Sequence, residues 1–251
     1  MSEELEYERI RDLVETYYDL QKLRIAVGNR LLPKCTKLYT KKKTKKGGVK
    51  RPCPYKDRKC SECEFLSTKT DPGLSKLHKL LLNEEKGLAK EFKEIAEGMP
   101  IYTDWLQYVK GVGPVLTVGL KAYIKSIERF RSVSALWKYS GLAPDQTRKV
   151  RGKKLNYNVK LKTHLWKIGR QLLMARSKYS EYYNKWKQEE LKKGITKLHA
   201  HNRAMRKMIK LFLSHYWEKE REIIGLPSGK AYVIDILKHT DYIPPIYDKK
   251  P

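Results

Sequence analysis

Leu106-Gln107-Tyr108-Val109-Lys110-Gly111-Val112-Gly113-Pro114-Val115-Leu116-Thr117-Val118-Gly119-Leu120 reads as a helix, a Gly-apolar-Gly turn and a second helix. Gly111 and Gly113 permit positive φ and leave no side chain between backbone N–H groups and an approaching anion, while Pro114 suits the first helical position. An exposed helix N-terminus attracts phosphate. The spacing predicts a helix-hairpin-helix in which Lys110, Gly111, Val112 and Gly113 meet a nucleic-acid backbone, a contact that carries no base information. A plain tight helix connection would show the same Gly-x-Gly-Pro, so the surrounding charge decides between the two.

That charge is strongly positive. The 251 residues carry 55 Lys+Arg against 28 Asp+Glu, a formal net charge of +27, which calls for a polyanion. Between Thr147 and Lys178 there are eleven basic residues and no acid. Arg148, Lys149, Arg151, Lys153, Lys154, Lys160 and Lys162 are the candidate phosphate contacts among them. On the helix predicted from about 158 to 178, Leu161, Leu165, Ile168, Leu172 and Met174 form the core stripe. His199, His201 and His215 sit at spacings that do not build a metal site and are expected to pack or to face phosphate.

Upstream, Ile10, Leu13, Tyr17, Leu20, Val27 and Leu31 keep a 3-4 spacing interrupted at Arg24, and Pro33 is expected to end that helix. A second stripe, Leu74, Leu77, Leu81, Leu88 and Ile95, starts after Asp71-Pro72-Gly73 and stops at Gly98-Met99-Pro100. Residues 1–98 are thus expected to form a long antiparallel coiled-coil hairpin whose seam makes a homodimer the expected assembly. Its tip, 33–71, holds twelve Lys or Arg between Pro33 and Cys63 against Asp57 and Glu62. Lys41, Lys42, Lys43, Lys45 and Lys46 are further candidate contacts. Residues 99–225 are expected to make a compact helical domain and 226–251 a tail, with a strand conceivable only at Ala231–Leu237. The fold class expected is mainly α.

All four cysteines of the chain, Cys35, Cys53, Cys60 and Cys63, lie in the tip. Thiols at this density in a reducing compartment read as metal ligands, and a close CxxC pair with two more thiolates completes a tetrahedron. Structural Zn2+ on these four is expected; Zn2+ with His78 in place of Cys35 and an iron–sulfur cluster are the alternatives. No apolar stretch approaches the about 20 residues of a membrane span, and Met1-Ser2-Glu3-Glu4 lacks the features of a signal peptide, so a cytoplasmic, nucleoid-associated chain is expected. Abundant Lys, Glu, Tyr and Ile with few Asn and Gln match the bias of thermophile proteins.

A set of ordered motifs runs from Val109 to about Leu213: Gly111-Val112-Gly113-Pro114, Ile127-x-x-Phe130-Arg131-Ser132, Tyr139-Ser140-Gly141-Leu142-Ala143-Pro144, Gly152-Lys153, Asn158-x-x-Leu161-Lys162, Tyr182-Tyr183 and Gly194. This series resembles the C-terminal transposase domain of the insertion-sequence recombinases that join it to an N-terminal RuvC-like DEDD nuclease and are programmed by a bridge RNA. The resemblance implies a coiled-coil hairpin ahead of this domain, used for assembly, and DNA as the partner, with RNA as an alternative. Two departures stand out. The nuclease half with its metal-binding carboxylates is expected to be absent, and where the family carries a nucleophilic serine, Asp145–Arg151 offers only the hydroxyl of Thr147. The expectation is a non-catalytic, duplex-gripping protein with no catalytic residue; a recombinase using Thr147, or a partner nuclease, is the minority alternative.

Overall fold

The computed structural model describes residues 3–38, 42–43, 49–50, 72–143, 152, 155–227 and 242–249. These are mainly helical: α1 (Glu3–Leu38), α2 (Pro72–Glu97), α3 (Pro100–Asp104), α4 (Pro114–Ile124), α5 (Val133–Tyr139), α6 (Val159–Met174), α7 (Tyr179–Lys192) and α8 (Lys197–Ile223), with 3-10 turns at Leu106–Tyr108 and Ile127–Arg129. A two-residue antiparallel ladder sets Lys42 opposite Lys50 and Lys43 opposite Val49. The stretch Ala231–Leu237, Cys53, Cys60 and Cys63 lie outside the described residues, and of Cys35 only its helical backbone is described.

Two compact units divide the chain: Asp12–Glu91, and Met1–Arg11 with Phe92–Pro251. Within the first, α1 turns Val14, Tyr17, Gln21, Arg24, Gly28 and Leu31 along one face, alternating steps of three and four. Val14 and Leu31 are buried. Arg24 does not interrupt the stripe; it occupies a seam position, because Glu85 of α2 answers it. The Glu85 carboxylate accepts from Arg24 through Nε and, at 3.4 Å, Nη2, and from Gln21 Nε2 at 3.0 Å and Tyr17 OH at 3.5 Å. Burial pushes the Glu85 carboxyl up, but the bonds from Arg24, Gln21 and Tyr17 outweigh it and hold the group below the usual carboxylate range. A polar layer of this kind penalises every register that would leave it unpaired.

Three expectations along these arms need correction. Pro33 does not end α1, which runs on to Leu38; a proline forfeits its own N–H bond and crowds the turn before it, while the residues beyond it can still donate back. On α2 the buried positions are Ser75, Leu81, Glu85, Phe92 and Ala96, whereas Leu77 is 39% exposed. The buried line steps from Ser75 through Leu81, Glu85 and Phe92 to Ala96, so of the expected stripe only Leu81 is buried, and Ser75 and Glu85 are polar seam residues that an apolar-only pattern cannot pick out. Val14, fully buried, was likewise missing from the expected series.

In the second unit the core assembles around α8, whose 27 residues span about 40 Å at 1.5 Å rise. Its Ala200, Ala204, Met208, Ile209, Phe212, Leu213 and Tyr216 are buried, and α3, α5, α6 and α7 all lie against it. Trp105 stacks on Phe212 at 5.7 Å, and Tyr179 meets the same ring edge-on at 5.6 Å. Two buried ring edges find partners: Trp217 Nε1 donates to the Phe130 carbonyl at 2.9 Å, and His215 Nδ1 meets Tyr179 OH at 2.6 Å. α4 crosses α6 at Gly119, where a Cβ would fall 2.2 Å from the His164 ring. His164 was not expected in the core; its Nε2 lies 2.9 Å from the Leu116 carbonyl, and burial pushes its pKa down to about 4. Met174, expected on the core stripe, is 66% exposed, because it follows Leu172 by two residues and so faces the opposite side of the helix.

Candidate nucleic-acid interface

The turn between Tyr108 and Pro114 is locked from inside. Val112 is buried and donates its N–H to the Val109 carbonyl at 3.2 Å. The segment ahead of the turn is the single 3-10 turn Leu106–Tyr108. The two glycines have different work. Gly111 has φ 91°, and a Cβ there would stand 2.7 Å from the Gln171 carbonyl oxygen and 3.1 Å from Ala175 Cβ, so this glycine allows the turn to close on the end of α6. Gly113 precedes α4 with φ −102°, no side chain caps that helix, and nothing stands within 4 Å of its would-be Cβ. The open face of the turn is therefore at Gly113.

Beside the turn, α6 ends in a reversal that sets up α7. The Arg176 N–H bonds to the Leu173 carbonyl and the Ser177 N–H to the Leu172 carbonyl, closing the end of α6 around Arg176 at φ 51°. An arginine in this left-handed conformation costs about 1 kcal/mol or more where glycine would be free, and its exposed side chain is held on the same short connection as Lys178. Lys110 and Lys178 converge: their backbone N–H groups reach the two oxygens of the Asp248 carboxylate at 2.8 and 2.6 Å, and Ser177 Oγ donates to it at 2.6 Å.

Of the expected contacts, Lys110 and Lys160 are exposed, and Lys162 lies with its Nζ 4.5 Å above the Tyr157 ring. Val112 is turned inward and offers no side chain. Lys42 and Lys43 are described only as backbone of the short ladder. Lys41, Lys45, Lys46, Arg148, Lys149, Arg151, Lys153 and Lys154 lie outside the described residues, as does Thr147. α6 carries basic side chains at both ends, Lys160 near its start and Arg170 near its finish. Asn158 caps its first turn by accepting from the Leu161 N–H at 3.0 Å.

The connection that leads toward residues 144–151 is firmly held. Ser140 is buried and donates to the Trp137 carbonyl at 3.0 Å; Gly141 has φ 71° and passes close to the Tyr157 ring. Arg206 of α8 donates to the carbonyls of Leu142, at 3.3 Å, and Ala143. No motif pointed to Arg206. Of the three histidines, His201 pairs with Tyr183 OH at 2.6 Å and His215 with Tyr179, so both pack. His78 lies against Gly28, with its pKa lowered by burial and by Arg24. Among the described residues no group of His, Cys, Asp and Glu is placed to hold a metal, and no helix is long and apolar enough to cross a membrane.

Residues 103–184 match the model of the transposase IS116/IS110/IS902 family, consistent with a C-terminal transposase domain of that family. The match runs from the end of α3 into the first half of α7 and stops short of α8. No curated protein matches the chain.

Proposed function

We propose that the protein is a transposase-derived DNA-binding protein that grips the phosphate backbone of duplex DNA with low sequence specificity, in an architectural, accessory or regulatory role, without cutting or joining strands. The observation that carries this reading is the open, uncapped start of α4 at Gly113, set beside Lys110, Arg176 and Lys178 in a chain of net charge +27. Backbone N–H groups and exposed cations together recognise phosphate and ignore bases. Lys160 lies ten residues from Arg170 on α6, about 15 Å along the helix, which is on the order of four steps of one DNA strand. The two basic ends of α6 would thus follow the backbone rather than enter one groove site.

In the other unit, α1 and α2 form the arms of an antiparallel hairpin. Exposed Leu23, Ile25, Leu77 and Leu80 on that unit support its pairing with a second copy. Cys35, Cys53, Cys60 and Cys63 hold one Zn2+, for which four thiolates are a complete tetrahedral set, and the basic tip adds phosphate contacts. The turn at Gly111–Gly113 acts as a helix-hairpin-helix shortened to one 3-10 turn on its first side.

The test is duplex binding across a salt series, with a structured RNA as competitor, on protein whose bound metal has been counted. With about 6 to 10 phosphates neutralised, the log–log slope should lie at roughly −5 to −9. A shallow slope overturns the backbone-grip reading, and preferential displacement by the RNA transfers it to an RNA-binding module.

A further inference from the structure

The last described residues, Tyr242–Lys249, have no helix or strand of their own, yet they are fastened along the second unit. His215 Nε2 lies 2.8 Å from the Ile243 carbonyl, and Trp105 Nε1 donates to the Ile246 carbonyl at 3.0 Å. Lys178 Nζ donates to the Tyr247 carbonyl at 2.6 Å, and the N–H groups of Asp248 and Lys249 both reach the Tyr108 carbonyl, at 3.0 and 3.2 Å. The Tyr247 ring lies 6.3 Å from that of Tyr108. This strap ends on the turn that the DNA-grip reading uses.

Its end is chemically specific. One Asp248 oxygen accepts from the Lys110 N–H at 2.8 Å and from Ser177 Oγ at 2.6 Å, and the other accepts from the Lys178 N–H at 2.6 Å. Three converging donors, two of them backbone N–H groups and one of those at the start of the 14-residue α7, make a cradle for an oxyanion. Lys178 itself makes no side-chain cap; Ser177 Oγ accepts from the Tyr179 N–H at 3.4 Å, and the carboxylate from the far end of the chain takes the Lys178 N–H. A carboxylate and a phosphate present the same acceptor oxygens to such donors, and phosphate has more of them and more charge.

We infer that this cradle, formed by the Lys110 N–H, the Lys178 N–H and the Ser177 hydroxyl, is a site for a nucleic-acid phosphate, and that Asp248 is its built-in occupant. The strap is then a self-competitor: duplex binding at the cradle requires Asp248 to leave. The exposed side chains of Lys110, Arg176 and Lys178 lie on the two connections that form the site, and Lys178 Nζ, held by the Tyr247 carbonyl at 2.6 Å, is released to a phosphate when the strap leaves. The inference rests on the backbone-grip reading and adds its regulation. An intramolecular occupant lowers apparent affinity by the fraction of molecules in which the site is open.

Asp248→Asn keeps the size of the side chain and removes its charge. It should bind a short mixed-sequence duplex about threefold to tenfold more tightly than the wild type. Glu128→Gln removes an equal charge from an exposed 3-10 turn and should shift affinity far less. In folded Asp248→Asn, inorganic phosphate should move the backbone amide resonances of Lys110 and Lys178 at concentrations that leave them unmoved in the wild type. Wild-type protein supplies a measurement that needs no variant: on binding duplex, the amides of Tyr242–Lys249 should exchange faster. Steep salt-dependent binding by the wild type, together with equal or weaker binding by a folded Asp248→Asn or an undisturbed strap in the complex, overturns the inference alone. No duplex binding by either protein overturns both it and the backbone-grip reading. Binding by Asp248→Asn alone supports it in its strongest form.

Discussion

Replacing each glycine of the Gly111-Val112-Gly113 turn by alanine should give two opposite phenotypes. At Gly111 the added methyl meets the Gln171 carbonyl oxygen at 2.7 Å and Ala175 Cβ at 3.1 Å, on a residue whose φ is 91°. Holding a side chain at positive φ costs about 1–2 kcal/mol, and crowding a packed contact about 1–3 kcal/mol more. The sum, about 2–5 kcal/mol, corresponds to a fall in Tm of roughly 5–15 °C for a unit of this size. At Gly113 the methyl meets nothing within 4 Å and φ is −102°, so stability should change by no more than about 0.5–1 kcal/mol, in either direction. DNA affinity should fall all the same, since the methyl stands where a phosphate must approach the N–H groups of α4. Thermal unfolding and duplex binding of both variants decide the matter. Gly111→Ala with an unchanged Tm would refute the packing argument, and Gly113→Ala with unchanged affinity would remove the turn from the interface.

Other outcomes are expected from the same structure. Arg176→Gly relieves a left-handed arginine and should leave Tm unchanged or higher while reducing duplex affinity and lowering the magnitude of the salt slope by about 1; a loss of stability would count against it. Burial depresses the pKa of both His164 and His215 to about 4, from 6.5. Their folded values lie below the unfolded one, so the stability they supply is complete above pH 6.5 and is lost as pH falls through about 4, by about 3 kcal/mol for each. Urea unfolding at stepped pH should show that fall. Glu190, held at about 2 chiefly by hydrogen bonds from Arg203, Lys207 and Lys193, should add a further loss only below about pH 4.5. Cys60→Ser should lower the zinc content of purified protein with little effect on the far-ultraviolet helix signal; an unchanged zinc count would remove Cys60 from the proposed ligand set.

What was legible in the sequence followed from local chemistry. Pro72 and Pro100 mark helix starts, Gly98 follows the end of α2, and the stripe Leu161, Leu165, Ile168 and Leu172 is fully buried as its period requires. What escaped depends on partners remote in the chain. Arg24 belongs in a seam only because Glu85 sits opposite it, 61 residues away, and His164 belongs in the core only because Gly119 leaves room for its ring. Gly111 and Gly113 look alike in one dimension; the passage of α6 beneath one of them separates their roles. Asp248 shows no motif at all, since its three donors come from two distant connections.

Similarity and burial draw different borders on this molecule. The stretch that matches the transposase family model closes at residue 184, yet Trp105 and Tyr179 within it rest on Phe212, Trp217 of α8 holds the Phe130 carbonyl, and Arg206 grips the backbone at Leu142. A fragment cut at the border of resemblance would present to water the very side chains that ought to make its interior. It would be expected to aggregate, and an inactive fragment of that kind would say nothing about DNA. The smallest piece from which function can be judged extends through α8 to the strap that ends at Lys249.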